Sequence, residues 1–262
     1  MQVTAPFQTW GSPEAPTTLF FRDESGFLIR FPGVAEFLIT HGSEVECRPC
    51  PGADGWRGIL EQQIQPLLLS LRGEQVFHGG AVAVGDEAIA FLAQSGRGKS
   101  TLTAAFARRG HPFLGDDCLH LDLSGARAFA QPHADHVRLW DDSAVALDAG
   151  DLHYVAGSVK PRLQAGERLP HCDTPLPLSR VYLLGDGEAD APLIEALSPS
   201  QQLIGWTANA FVLDIKNPDV LKRNMQACAR LVAEVPMRRL DYPRRYDVLD
   251  EVVALVLADA AG

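Results

Sequence analysis

The chain has 262 residues, enough for one large domain or a domain with a small lobe, and 46% of them are hydrophobic, so a sizeable core can form. A formal net charge of −10 argues against a general nucleic-acid binder. No run reaches the roughly 18 uninterrupted apolar residues of a membrane span.

Five cysteines show no framework spacing, and Met1–Trp10 lacks the basic start of a signal peptide. A reduced, cytoplasmic setting is therefore expected, without a membrane or nucleic-acid partner.

Residues 1–72 are expected to form a β-rich N-terminal lobe with a connecting helix. Thr18–Arg22 and Phe27–Phe31 are β-type runs about the turn cluster Asp23-Glu24-Ser25-Gly26, and Ala35–Thr40 is a third candidate strand. Cys47-Arg48-Pro49-Cys50 has no second pair or paired histidines to complete a metal site, so it reads as structural. Trp56, Ile59, Leu60, Ile64, Leu67, Leu68 and Leu71 predict a helix over 54–71, kinked or restarted at Pro66 and stopped at Gly73.

Residues 73–262 are expected to form the second, α/β domain. Val76–Val84 and Glu87–Leu92 read as strands about a Gly85-Asp86 turn. The second strand runs into Gln94-Ser95-Gly96-Arg97-Gly98-Lys99-Ser100, and Thr101–Arg109 is helix-like. Strand, glycine-rich turn, Gly-Lys-Ser and helix make a phosphate-binding loop, so Gln94 to Thr101 are the candidate nucleotide contacts. Glycines let backbone N–H groups turn toward phosphate oxygens, and the helix N-terminus adds partial positive charge. Lys99 would reach the outer phosphates and Ser100 would ligate Mg²⁺. The motif's first glycine falls at Ala93, which predicts an altered first turn.

Beyond Gly110, strands are expected at Pro112–Gly115, Cys118–Leu123 and Ala126–Gln131, with Val137–Trp140 near a turn. A short helix over 141–147 would be capped by an Asp or Ser. Val155–Leu163 and Arg180–Leu184 read as strands, with loop at 170–177 and an acidic turn at 185–192. Asn217-Pro218-Asp219 is a helix start. The helix it opens places Leu221, Met225, Cys228, Leu231 and Val232 on one face, with Arg223 and Arg230 opposite. A strand over 235–240 and a closing helix over 247–258 complete the chain.

Asp116-Asp117 follows a strand, 17 and 18 residues after Lys99. One carboxylate there can hold Mg²⁺ and a second can take the proton of an attacking hydroxyl. His78, 21 residues before Lys99, could orient a carboxylate or contact a phosphate, although a lone strand histidine is more often structural. Phosphoryl transfer also needs cations, and Arg138, Lys160, Arg162, Lys222 and Arg223 are candidates. Lys216–Tyr246 holds eight basic residues against three acidic ones, a local +5 in a chain of −10, which suggests an anionic partner.

Phe77-His78-Gly79-Gly80, Gln94 to Ser100, Arg109-Gly110-His111-Pro112 and Asp116-Asp117, at these separations, resemble the HPr kinase/phosphorylase superfamily. The resemblance covers about residues 75–123. It implies a mixed sheet around the phosphate loop, with ATP and Mg²⁺ as cofactors. It makes Lys99 the β/γ-phosphate ligand, Ser100 and Asp116 metal-side residues, Asp117 the base that activates a serine, and His78 an active-site residue. The family's Glu-x-Arg-Gly element has no clean copy: at Val137-Arg138-Leu139, His136 stands where Glu is expected, which weighs against reversible action on HPr. The general layout is similar to the compact serine kinases of lasso-peptide maturation. The expectation is an ATP-dependent serine kinase acting on a peptide or protein, with a homo-oligomer left open. The alternatives are a nucleotide-sensing or peptide-binding module, and a small-molecule kinase.

Overall fold

The structure is a computed structural model, and it describes residues 5–12, 14–40, 44–149, 153–154 and 160–262. The chain divides into two compact units, one up to Gly73 and one from Glu74 onward.

The first unit is a five-stranded antiparallel meander of β1 (Gln8–Gly11), β2 (Pro16–Asp23), β3 (Gly26–Phe31), β4 (Ala35–Thr40) and β5 (Glu44–Pro49). In β4, Ala35, Phe37 and Ile39 are fully buried while their neighbours are not, the period-two pattern of a sheet covered on one face. Strands β1 and β5 were not expected; both are largely exposed, and β5 alternates only between exposed and half-buried residues. The expected helix forms as α1 (Trp56–Ile59), a π-helical turn (Leu60–Ile64) and α2 (Gln65–Leu71). Pro66 follows the π-helical turn while the backbone stays helical at Ile64 and Gln65, so the helix runs on through it and does not restart.

The second unit adds β6 (Gln75–Phe77), β7 (Gly79–Val84), β8 (Glu87–Leu92), α3 (Lys99–Ala107), β9 (Phe113–Gly115), β10 (Leu119–Asp122), β11 (Phe129–Gln131), β12 (His136–Arg138), α4 (Asp141–Ala146), β13 (Arg162–Gln164), β14 (Leu176–Leu184), β15 (Leu193–Ala196), α5 (Pro199–Asn209), α6 (Pro218–Glu234), β16 (Met237–Asp241) and α7 (Leu249–Ala260). The fold is α/β. Strand β14 lies parallel to β8 and β16, while β7 and β9 extend the β8 side antiparallel, so the sheet is mixed.

Strand β8 explains the layering. Ile89 and Phe91 join a core with Leu102 and Phe106 of α3 and Val252 and Val256 of α7. Ala88, Ala90 and Leu92 face the other way, toward Trp206 of α5 and Cys228 and Leu231 of α6. A strand buried on both faces reads as a continuous apolar run, and this one holds the phosphate loop at its C-terminal end. Truncating Phe91 to alanine would remove about 3–5 kcal/mol.

Several local expectations are corrected. Residues 136–138 form strand β12, paired with β13, where no strand was expected. Helix α4 has Trp140 at its N-cap and no side-chain cap; Asp141 and Asp142 instead place negative charge in its first turn. The loop over 170–177 ends early, since β14 begins at Leu176. The expected strand over 155–163 lies outside the described residues up to 159, and β13 covers its end. Asn217 caps α6 as expected, accepting from the Asp219 N–H at 3.0 Å. Its faces differ: Leu221 and Met225 are exposed, and Arg230 turns inward to donate to the carbonyls of Leu123 and Gly125. Among the described residues, no helix is long and apolar enough to cross a membrane.

Candidate active site

The loop between β8 and α3 departs from ordinary backbone at Gly96 (φ 83°) and Gly98 (φ 88°), conformations that favour glycine. Ala93 shows no positive φ and is buried in the core, so the missing first glycine costs the turn nothing. The expected alteration there is therefore not found.

Lys99 folds beneath the loop. Its Nζ donates to the carbonyls of Ala93 at 2.8 Å and Gln94 at 3.2 Å, and lies 2.9 Å from His78 Nε2. Burial lowers its pKa to about 8, against the pull of the Asp117 and Asp116 charges. The other ring nitrogen of His78 lies 3.1 Å from the Asp117 carbonyl oxygen, which can only accept. Nδ1 therefore carries the proton and Nε2 is the acceptor for Lys99. Burial, then the Lys99 charge, holds the imidazole pKa below its usual value, which favours this neutral form.

The two aspartates diverge. Asp116 is buried; one carboxylate oxygen accepts from the Arg138 N–H at 3.0 Å and the other has no hydrogen-bond partner among the described residues. Burial, then the Asp117 charge, pushes its pKa up to about 7, while Arg138 N–H, Ser100 and Lys99 oppose the rise. Asp117 has a φ of 64°, unusual for a residue with a side chain. Its carboxylate lines the cleft, 3.8 Å from an Arg138 guanidinium nitrogen.

The cleft encloses about 200 Å³. Ser95, Gly96, Gly98, Lys99, Ser100 and Thr101 form one wall. Arg138, Trp140, Ser143 and Lys160 also line it, as do Tyr242, Arg244, Arg245 and Tyr246 from the segment after β16. Among the expected residues, His78 and Asp116 stand behind Lys99 and Ser100 rather than on the surface of the cleft. Gln94 contributes its carbonyl, and Arg97 turns away to the Asp186 carboxylate at 2.9 Å. Arg162 is the strand partner of Arg138 and does not line the cleft.

Lys222 and Arg223 also do not line it; they lie exposed on α6, whose packed face is carried by Cys228 and Leu231. The basic segment reaches the cleft at its end, through Arg244 and Arg245, and not at its start. The sequence signal for them was that same local charge excess, with Tyr242 and Tyr246 flanking the pair.

A buried carboxylate oxygen without a partner beside the Ser100 hydroxyl fits a cation. Among the described residues, no group of three His, Cys, Asp or Glu side chains could hold a metal ion. A hydroxyl and one carboxylate oxygen would suit a hard cation that takes its remaining ligands from phosphates and water, as Mg²⁺ does.

No family model matches the chain, and no curated protein does. A search of solved structures finds similarity to the HPr(Ser) kinase/phosphatase from Coxiella burnetii, at 10% identity, covering 72% of this chain and 99% of that one, with a TM-score of 0.38.

Proposed function

We propose that the protein is an ATP-dependent phosphotransferase acting on a serine hydroxyl of a peptide or protein. The observation that carries this reading is Asp117: its carboxylate opens into the same cleft as the phosphate loop, on a strained residue whose carbonyl is tied to the His78–Lys99 pair. Strain of this kind persists where surrounding structure over-determines it, often at functional sites.

In the proposed reaction Asp117 takes the serine proton as the hydroxyl oxygen forms its bond to the γ-phosphorus. The bond to the β-phosphate oxygen breaks and ADP leaves. Loop N–H groups and Lys99 hold the phosphates, and Arg138 and Lys160 stand where negative charge spreads over the transferring group. Ser100 and Asp116 would hold Mg²⁺, which when bound neutralises phosphate charge. The precursor-peptide acceptor of the lasso type is favoured by the motif resemblance and overall layout.

The test is incubation with γ-labelled ATP and a pool of serine peptides. Wild-type protein is expected to label peptide, and Asp117→Asn to lose at least about 100-fold in rate while still binding ATP. Full transfer by Asp117→Asn would sink the base assignment. Binding of ATP with no transfer would instead support a sensing module.

A further inference from the structure

The lining of the cleft continues past the glycine-rich loop. It includes Tyr246, which is 40% exposed although its hydroxyl is fixed, 3.1 Å from Ser143 Oγ. Ser143 Oγ in turn lies 3.3 Å from Thr101 Oγ1, in the first turn of α3. This hydroxyl chain ties the ring to the helix end that follows Lys99 and Ser100. Tyr242 belongs to the same lining: a side chain at Gly98 would meet its hydroxyl at 3.4 Å. Arg244 covers the Tyr242 ring, 4.2 Å from its centroid, and donates to the Gly185 carbonyl at 2.6 Å, so this edge is built and not loose.

The other half-exposed aromatic of the lining is Trp140, at the start of the short helix that carries Ser143. Lys160 lies 5.2 Å over its ring, and the Lys160 charge bears on both Lys99 and His78. The cleft thus joins the charged groups Asp117, Arg138 and Lys160 to an aromatic end at Tyr242 and Tyr246, where Arg244 and Arg245 also stand.

We infer that the aromatic end is a nucleoside subsite, in which the base of the bound nucleotide stacks on the open face of Tyr246 beside Arg245. This rests on the nucleotide reading of the phosphate loop and adds the residues that hold the base. A ring anchored through its hydroxyl loses little freedom when a base lies on it, and every base offers a face to stack.

The experiment compares ATP with inorganic tripolyphosphate, which has the phosphates and no nucleoside, by calorimetric titration of the full chain. Wild-type protein is expected to bind ATP more tightly than tripolyphosphate. Tyr246→Ala is expected to weaken ATP binding about tenfold or more and leave tripolyphosphate binding unchanged, a difference typical of one lost stacking contact. Tyr246→Phe keeps the ring and is expected to stay within about threefold of wild type for ATP. Unchanged tripolyphosphate binding shows in the same titration that the variant is folded. Equal loss for both ligands, or no loss for ATP, overturns the subsite. Equal wild-type affinity for both ligands overturns it while leaving the phosphate loop intact, and binding of neither overturns the nucleotide reading as well.

Discussion

Lys99 Nζ lies 2.9 Å from His78 Nε2, on the side of the ring opposite the nitrogen that faces the Asp117 carbonyl. The histidine bridges the cation of the phosphate loop and the backbone of the aspartate that opens into the cleft. It can do so only as the neutral Nδ1–H form. Protonation would remove the acceptor for Lys99 and put two positive charges in contact.

This relationship sets the pH profile. His78 has its pKa held below the usual 6.5, so its protonation, and the loss of the bridge, come only on the acid side of that value. Lys99 loses its charge as pH rises through about 8. A plot of kcat/KM for ATP, which reports the free enzyme, is expected to be bell-shaped, with an alkaline limb near about 8 and an acid side on which Asp116, at about 7, and His78, below 6.5, both protonate. His78→Ala is expected to lower kcat/KM about 10–100-fold and to remove the part of the acid limb below pH 6.5, leaving the Asp116 limb near about 7. An acid limb unchanged in His78→Ala would assign it to another group.

Asp116 makes a stability prediction with a definite sign. Its pKa rises from 3.8 to about 7 on folding, so the native state binds the proton more tightly than the unfolded chain. Its contribution is fully present below about pH 3.8 and is lost as pH rises through about 7. Asp116→Asn keeps an acceptor for the Arg138 N–H and removes the buried charge. In urea unfolding the variant is expected to gain on the order of 2–4 kcal/mol over wild type at about pH 8 and almost nothing near about pH 4. A gain equal at both values would mean the charge is not its source.

The parts of the molecule that could be read from the chain are those where one local pattern decides. The run from Ala88 to Leu92, the glycines at 96 and 98 and the Asn217 cap each express a single constraint, and each forms as expected. Helix α5 carries such a signal too: Ser198 and Gln201 form a reciprocal capping box with Pro199 in the first turn. Other features depend on distant partners. The inward turn of Arg230 is set by carbonyls about a hundred residues earlier in the chain, at Leu123 and Gly125. The aromatic end of the cleft arises because Ser143 and Tyr246, 103 residues apart, meet beside Thr101. No periodicity encodes such a meeting.

Ala93 offers a direct check on the loop. Since its backbone does not need positive φ, glycine there would only add freedom to the unfolded chain. Ala93→Gly is expected to lower stability by about 0.4–1 kcal/mol in a denaturant titration and to bring no gain in ATP affinity. Tighter ATP binding by this variant would show that the loop is held back by its alanine.

The division of the basic residues is the remaining prediction. Lys160 lines the cleft, and its charge depresses the pKa values of Lys99 and His78, which places it in the electrostatic field of that pair. Lys222 and Arg223 sit on the exposed surface of α6. Lys160→Ala is therefore expected to reduce kcat by about 10²–10³-fold, as loss of one donor to a charged transition state does. The double variant Lys222→Ala/Arg223→Ala is expected to keep kcat and the KM for ATP within about twofold, since substitutions on an exposed helix surface away from the site perturb little. Steady-state kinetics with a labelled acceptor peptide separates the two. If the α6 variant raises the KM of the peptide alone, those cations hold the acceptor; if it lowers kcat as far as Lys160→Ala does, they reach the transferring phosphate and the assignment of the cleft walls is wrong.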